Sequence, residues 1–113
     1  LRYGYLDMAW HTANPADISS VAEFEKKITE PMRLLPEASE TNISCSFAHI
    51  FSGGYSAGYY SYKWAEVLDA DAFELFKEKG LFNLKVAELF RKNILSRGDT
   101  DEPLNLYKKF IEK

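Results

Sequence analysis

From His49 to Tyr62 the chain reads His-Ile-Phe-Ser-Gly-Gly-Tyr-Ser-Ala-Gly-Tyr-Tyr-Ser-Tyr. One histidine and four tyrosines (Tyr55, Tyr59, Tyr60 and Tyr62) surround three glycines, Gly53, Gly54 and Gly58. Each tyrosine offers a flat apolar ring and a hydroxyl that can donate to a charged oxygen. Gly53 and Gly54 can take backbone angles closed to other residues and let a ligand's main chain come close. Such a segment suits gripping a peptide or stabilising a developing oxyanion. It holds no complete catalytic set of its own.

Other chemistries find less support. The two histidines are His11 and His49. Neither opens H-E-x-x-H, the helical pair that binds zinc beside a glutamate base. No third ligand is arranged near them, so no metal site built wholly from this chain is expected. His11 lies near a helix end, where a capping or surface role is the plain expectation. The glycines lack the preceding strand and the following Lys-Ser/Thr of a phosphate loop. No G-x-S-x-G marks Ser52 or Ser56 as a hydrolase nucleophile. Cys45 is the sole cysteine, which excludes an intramolecular disulfide. Its neighbours Ser44, Ser46 and Phe47 supply no base, so it is expected as a small buried apolar side chain.

The elements that must position these residues read as helices throughout. A helix occupies residues 1 to about 11 and breaks at Asn14-Pro15, since proline lacks an N–H and restricts the residue before it. Ser20-Val21-Ala22-Glu23 is a capping box that starts a helix running to about Thr29. Pro31 and Pro36 bound a short helical piece around Met32-Arg33-Leu34-Leu35, and residues 37–42 read as loop. Residues 46–51 fit either a short helix or an extended piece. From Ser56 onward the pattern turns helical. Trp64, Val67, Leu68, Ala72, Leu75 and Phe76 recur in steps of three and four on one buried face. Asp71 shares that face and should be paired or near an edge. Gly80 stops this helix. A further helix covers about 83 to 96, with Val86, Phe90 and Ile94 on one face. Thr100 or Asp101 caps a last one carrying Leu104, Tyr107 and Ile111.

The 113 residues fit one domain or part of one, with a formal net charge of −3. Lysine and arginine are scattered, and no basic stripe points to nucleic acid. No apolar run approaches the roughly 20 residues needed to span a bilayer. The start, Leu1-Arg2-Tyr3-Gly4-Tyr5, is neither a signal nor a transit peptide and lacks an initiator methionine. The expectation is a single helical unit over residues 1–113, cut from a longer protein. On a helix beginning near Ser56, the rings of Tyr55, Tyr59 and Tyr62 share one face and Tyr60 points elsewhere. A stripe of this kind also fits core aromatics with hydrogen-bonded tips.

At these residues the chain resembles a known family. Phe47-Ala48-His49-Ile50-Phe51, Gly53-Gly54-Tyr55, Ala57-Gly58-Tyr59-Tyr60-Ser61-Tyr62 and Trp64-Ala65-Glu66-Val67-Leu68, with Asp71-Ala72-Phe73, look like the C-terminal catalytic region of the M3 zinc metallopeptidases. Gly80, Phe90-Arg91 and Ile94-Leu95 continue the resemblance, and Leu6-Asp7-Met8-Ala9-Trp10-His11 matches in character. It is strongest from about Ser46 to Gly98 and fades after Pro103.

The resemblance implies an all-α fragment of a larger, mostly helical, zincin-like catalytic domain. It implies a zinc ion held by an H-E-x-x-H and a distant glutamate preceding Leu1, so the fragment itself is expected to bind no metal and to be inactive alone. It carries over His49, Tyr55 and Tyr62 as catalytic groups, and His49, Gly53, Gly54, Tyr55, Tyr59 and Tyr62 as substrate-binding groups. The implied activity is hydrolysis of short peptides, as an oligopeptidase or peptidyl-dipeptidase. The implied partners are short peptides and the remainder of the parent polypeptide, with no nucleic acid and no membrane. Self-association of the fragment and a cytoplasmic location, with the periplasm as the other choice, complete the expectation. The alternative is a non-enzymatic helical module that grips peptides with the aromatic strip.

Overall fold

The computed structural model describes residues 1–36, 38 and 40–111. Glu37 and Ser39, in the stretch expected as loop, lie outside the described residues. Among the described residues there is no strand, and the chain is all-α as expected. It divides into two compact units, Leu1–Trp64 and Ala65–Lys113.

In the first unit, α1 (Arg2–Thr12) ends at Ala13, whose backbone is extended. Asn14 then accepts the Ala16 N–H at 3.2 Å and opens a single 3₁₀ turn, Pro15–Asp17. Ser20 caps α2 (Val21–Thr29) by accepting the Glu23 N–H at 3.3 Å, as the capping box predicts. α1 and α2 meet where the Trp10 ring lies 4.4 Å from that of Phe24. The helical piece expected around Met32–Leu35 stops short. A 3₁₀ turn covers Glu30–Met32, and Arg33 is already extended. Pro36 disfavours helical angles at Leu35, and both Leu34 and Leu35 stay exposed.

Glu25 of α2 is buried, and its carboxylate accepts the N–H groups of Ile43 at 2.9 Å and Ser44 at 2.8 Å. Burial alone would push this carboxyl up. The Ser44 and Ile43 donors outweigh it and hold the group below its ordinary 4.5. Trp10 Nε1–H donates to Ser44 Oγ at 2.9 Å and completes the anchor. Cys45 departs from expectation: it is exposed. With the N–H groups of Ile43 and Ser44 drawn inward, Cys45 falls on the outer side of the turn. The chain then enters α3 (Ala48–Phe51), which settles residues 46–51 as a short helix. Leu6, Phe47 and Ile50 are the buried apolar side chains of this unit.

α4 (Ser61–Lys79) starts in the first unit and gives most of its length to the second. There it is followed by α5 (Leu84–Phe90), capped by Asn83, which runs on into a π-helical turn, Arg91–Leu95. The last helix is α6 (Pro103–Ile111). Ala72, Val86 and Phe110 form the core, and Leu75, Phe76, Phe90, Ile94 and Tyr107 pack around it. The apolar face expected on α4 is therefore only half used. Ala72, Leu75 and Phe76 join the cluster, whereas Trp64, Val67 and Leu68 are exposed because the cluster begins at Ala72. On α6 the buried pair is Leu106 and Phe110, four apart, while Leu104 is exposed. Asp71 is paired, as expected, by the Tyr107 hydroxyl. Burial and then that carboxylate push the Tyr107 phenol up to about 12. No helix among the described residues is long and apolar enough to cross a membrane.

Candidate functional site

α3 is a four-residue helix, and the way it ends decides where the tyrosines go. The N–H groups of Ser52 and Gly53 both reach the Ala48 carbonyl, at 2.7 and 2.9 Å. The chain therefore folds back over the helix instead of leaving it. A Cβ on Gly53 would lie 2.8 Å from His49 Cα, closer than real side chains come, so only glycine fits. Gly54 has φ +83°, the left-handed region that glycine enters without penalty. The pair thus lets the Tyr55 N–H donate to the His49 carbonyl at 3.1 Å. The close approach that Gly53 permits is to this chain's own backbone.

Residues 56–60 are not helical, contrary to the expectation of a helix from Ser56. They form successive turns, with the Gly58 N–H donating to the Tyr55 carbonyl at 2.9 Å and Ala57 at φ +53°. The reason lies fifty residues upstream. Asp7 of α1 is fully buried, and its Oδ1 accepts the Ala57 N–H at 2.9 Å. Its Oδ2 accepts the Tyr59 N–H, also at 2.9 Å. Two amides aimed at one carboxylate require a curled backbone, and a helix would send them to carbonyls. Ser56 Oγ–H donates to the Ile50 carbonyl at 2.6 Å and ties the same turn to α3.

The curled backbone still brings the named rings together. Tyr59 lies 6.3 Å from His49, 6.0 Å from Tyr55 and 5.0 Å from Tyr62, centroid to centroid. His49 and Tyr55 are 6.2 Å apart. Tyr55 and Tyr62 stack at 5.7 Å with 25° between their planes. Behind Tyr59 stand Phe47 at 4.9 Å and Tyr3 at 6.1 Å, which sequence reasoning did not single out for the site. The Cα and Cβ of Tyr60 lie 3.4 Å from where a Cβ on Gly4 would sit, against α1. His49, Tyr55 and Tyr62 are exposed, and Tyr59 is half-buried.

The hydrogen bond with Tyr55, and then the charge that Tyr55 would carry, push the Tyr62 phenol above its ordinary 10. Tyr62 therefore keeps its proton at any physiological pH. The array presents O–H and N–H groups on an apolar floor. It can donate to carbonyl or carboxylate oxygens, and it offers aromatic faces to side chains. Among the described residues no three His, Cys, Asp or Glu side chains gather as a metal site would require. His11 pairs with Asp7, Nδ1 to Oδ1 at 2.9 Å, and goes no further towards such a set.

Comparison with known proteins places the chain. The model of peptidase family M3 matches residues 1–113. Oligopeptidase A of Escherichia coli K12 is 42% identical over 97% of this chain and 16% of its own length. A probable cytosolic oligopeptidase A of Arabidopsis thaliana is 39% identical over 97% of this chain and 16% of its own. A dipeptidyl carboxypeptidase of Salmonella typhimurium is 40% identical over 90% of this chain and 15% of its own. No solved structure matches. The chain therefore spans 16% of the length of those oligopeptidases.

Proposed function

The chain belongs to peptidase family M3, and on that premise we propose that it is the substrate-gripping, oxyanion-stabilising wall of a longer zinc metallopeptidase that hydrolyses short peptides. The observation that carries this reading is the convergence of His49, Tyr55 and Tyr62 around Tyr59 on an exposed face. Relatives named as oligopeptidases and as a dipeptidyl carboxypeptidase support peptides as the substrate class. Among the described residues no set of side chains fits a zinc site, and the metal would be held by the remainder of the polypeptide. These residues act on the other side of the scissile carbonyl. As that carbonyl becomes tetrahedral, negative charge grows on its oxygen. A phenol O–H of Tyr55 or Tyr62 meets that charge better than it meets the ground-state carbonyl. His49 and Tyr59 hold the peptide's main chain beside it. The chain's exposed apolar side chains, Trp64, Phe82 and Leu34 among them, would cause the isolated piece to self-associate.

The test is steady-state kinetics on the full-length polypeptide with one short peptide. Tyr55→Phe and Tyr62→Phe should each lower kcat by about 10²-fold, with much smaller changes in KM. Tyr60→Phe is the control and should match the parent. The 113-residue chain alone should hydrolyse nothing. Parent-like kcat in both Tyr55→Phe and Tyr62→Phe would overturn the proposal.

A further inference from the structure

Resting on that reading of the site, we infer that Asp7, braced by His11, is the positioning residue of the tyrosine array. Asp7 has no exposed surface, yet it carries a carboxylate, and its three partners account for it. Oδ1 accepts from Ala57 N–H at 2.9 Å and lies 2.9 Å from His11 Nδ1. Oδ2 accepts from Tyr59 N–H at 2.9 Å. His11 Nδ1 also lies 2.8 Å from the Asp7 main-chain carbonyl. Both neighbours are acceptors, so Nδ1 is the nitrogen that bears the proton. The imidazole thus closes the carboxylate from the α1 side while the turn closes it from the other.

The geometry at the turn argues that the carboxylate holds a conformation the local sequence would not keep. Ala57 sits at φ +53°, the left-handed region that strains a residue bearing a side chain. Such a backbone persists where its surroundings over-determine it. Here the determinant is one acid gripping residues 57 and 59, which flank Gly58 and lie between Tyr55 and Tyr62. If the grip loosens, Tyr59 shifts on its Phe47 floor, and Tyr55 and Tyr62 lose their common frame. Asp7 touches no substrate in this arrangement and acts only through the turn.

The test is a double-mutant cycle in the full-length polypeptide. Asp7→Asn keeps shape and one acceptor oxygen, and turns an NH₂ towards an amide that needs an acceptor. In the parent background it should lower kcat by about 10- to 100-fold, with KM changed far less. In the Tyr55→Phe/Tyr62→Phe background, where neither oxyanion donor is left to misplace, the same change should cost less than about threefold. An equal loss in both backgrounds would mean that Asp7 serves the fold alone, and would overturn the inference while leaving the site reading intact. Parent-like kcat in Tyr55→Phe/Tyr62→Phe would instead sink the site reading. Should Asp7→Asn not fold, His11→Gln takes its place in the cycle. It keeps the carboxylate and removes the imidazole, and should cost about three- to tenfold in the parent background only. The same factor in both backgrounds would overturn the inference equally.

Discussion

The two units of this chain solve the problem of holding backbone in place by different physics. In Ala65–Lys113, helices are held by apolar packing: Ala72, Val86 and Phe110 meet in one cluster, with ring pairs such as Phe90 and Phe110 at 5.3 Å. Its charged contacts, such as Asp101 with Lys109, lie towards solvent. In Leu1–Trp64, two buried carboxylates do the holding. Glu25 captures Ile43 and Ser44, and Asp7 captures Ala57 and Tyr59. Apolar contact is non-directional and tolerates sliding, which suits regular helices. A carboxylate takes N–H groups along defined directions, and charge-assisted bonds are about twice as strong as neutral ones. It can therefore fix irregular backbone, the kind that brings His49 and three tyrosines together.

The sharpest break of this contrast would come from the packed unit. Phe110→Ala empties a fully buried ring position and should cost about 3–5 kcal/mol. Peptide-resolved hydrogen exchange of the full-length polypeptide should show faster exchange across α5 and α6, with the turn at 55–62 unchanged. Equal loosening of that turn would show that the two units do not hold themselves by separate means.

A smaller effect is expected where the site unit is tight. Gly53→Ala places a Cβ 2.8 Å from His49 Cα, and the three nearest atoms, the Cα, O and C of His49, are all backbone. The strain should cost about 1–3 kcal/mol and lower kcat by displacing His49. Full activity in this variant would mean that α3 can shift without disturbing the array, contrary to directional anchoring.

The smallest effects separate the units by pH. Glu25 is held below its ordinary 4.5 in the folded state. It therefore contributes stability above that value, and the contribution is lost as pH falls through the lower folded value. Tyr107 is raised from 10 to about 12, so its contribution is complete below pH 10 and is lost as pH rises through about 12. Denaturation midpoints against pH should therefore converge with the parent's at acid pH for Glu25→Gln, and at alkaline pH for Tyr107→Phe. Convergence at the opposite ends would overturn this assignment of charge to the two units.

Much of the molecule was legible without coordinates. Three- and four-residue periodicity marked the helices, and the Ser20 cap and the Asn14-Pro15 break set boundaries to within a residue or two. These are local effects, written in neighbouring residues. The chemistry-bearing cluster was legible too, because the histidine, glycines and tyrosines lie within one short stretch. What periodicity got wrong is instructive. It extended a helix back to Ser56, where Asp7 draws the amides of Ala57 and Tyr59 out of helical pairing. Residue type in turn suggested a buried Cys45, where Glu25 turns the backbone outward. The one available signal for Asp7 was an acid beside Leu6, four residues before His11, on an apolar helix.

Residue types at short spacing were enough for most of the helices, the candidate chemistry and the family resemblance. Only the tertiary structure decided which backbone amides a buried acid would take. That choice joins residues fifty apart, and the cost of leaving a buried charge unpaired forces it in a way that no local pattern records.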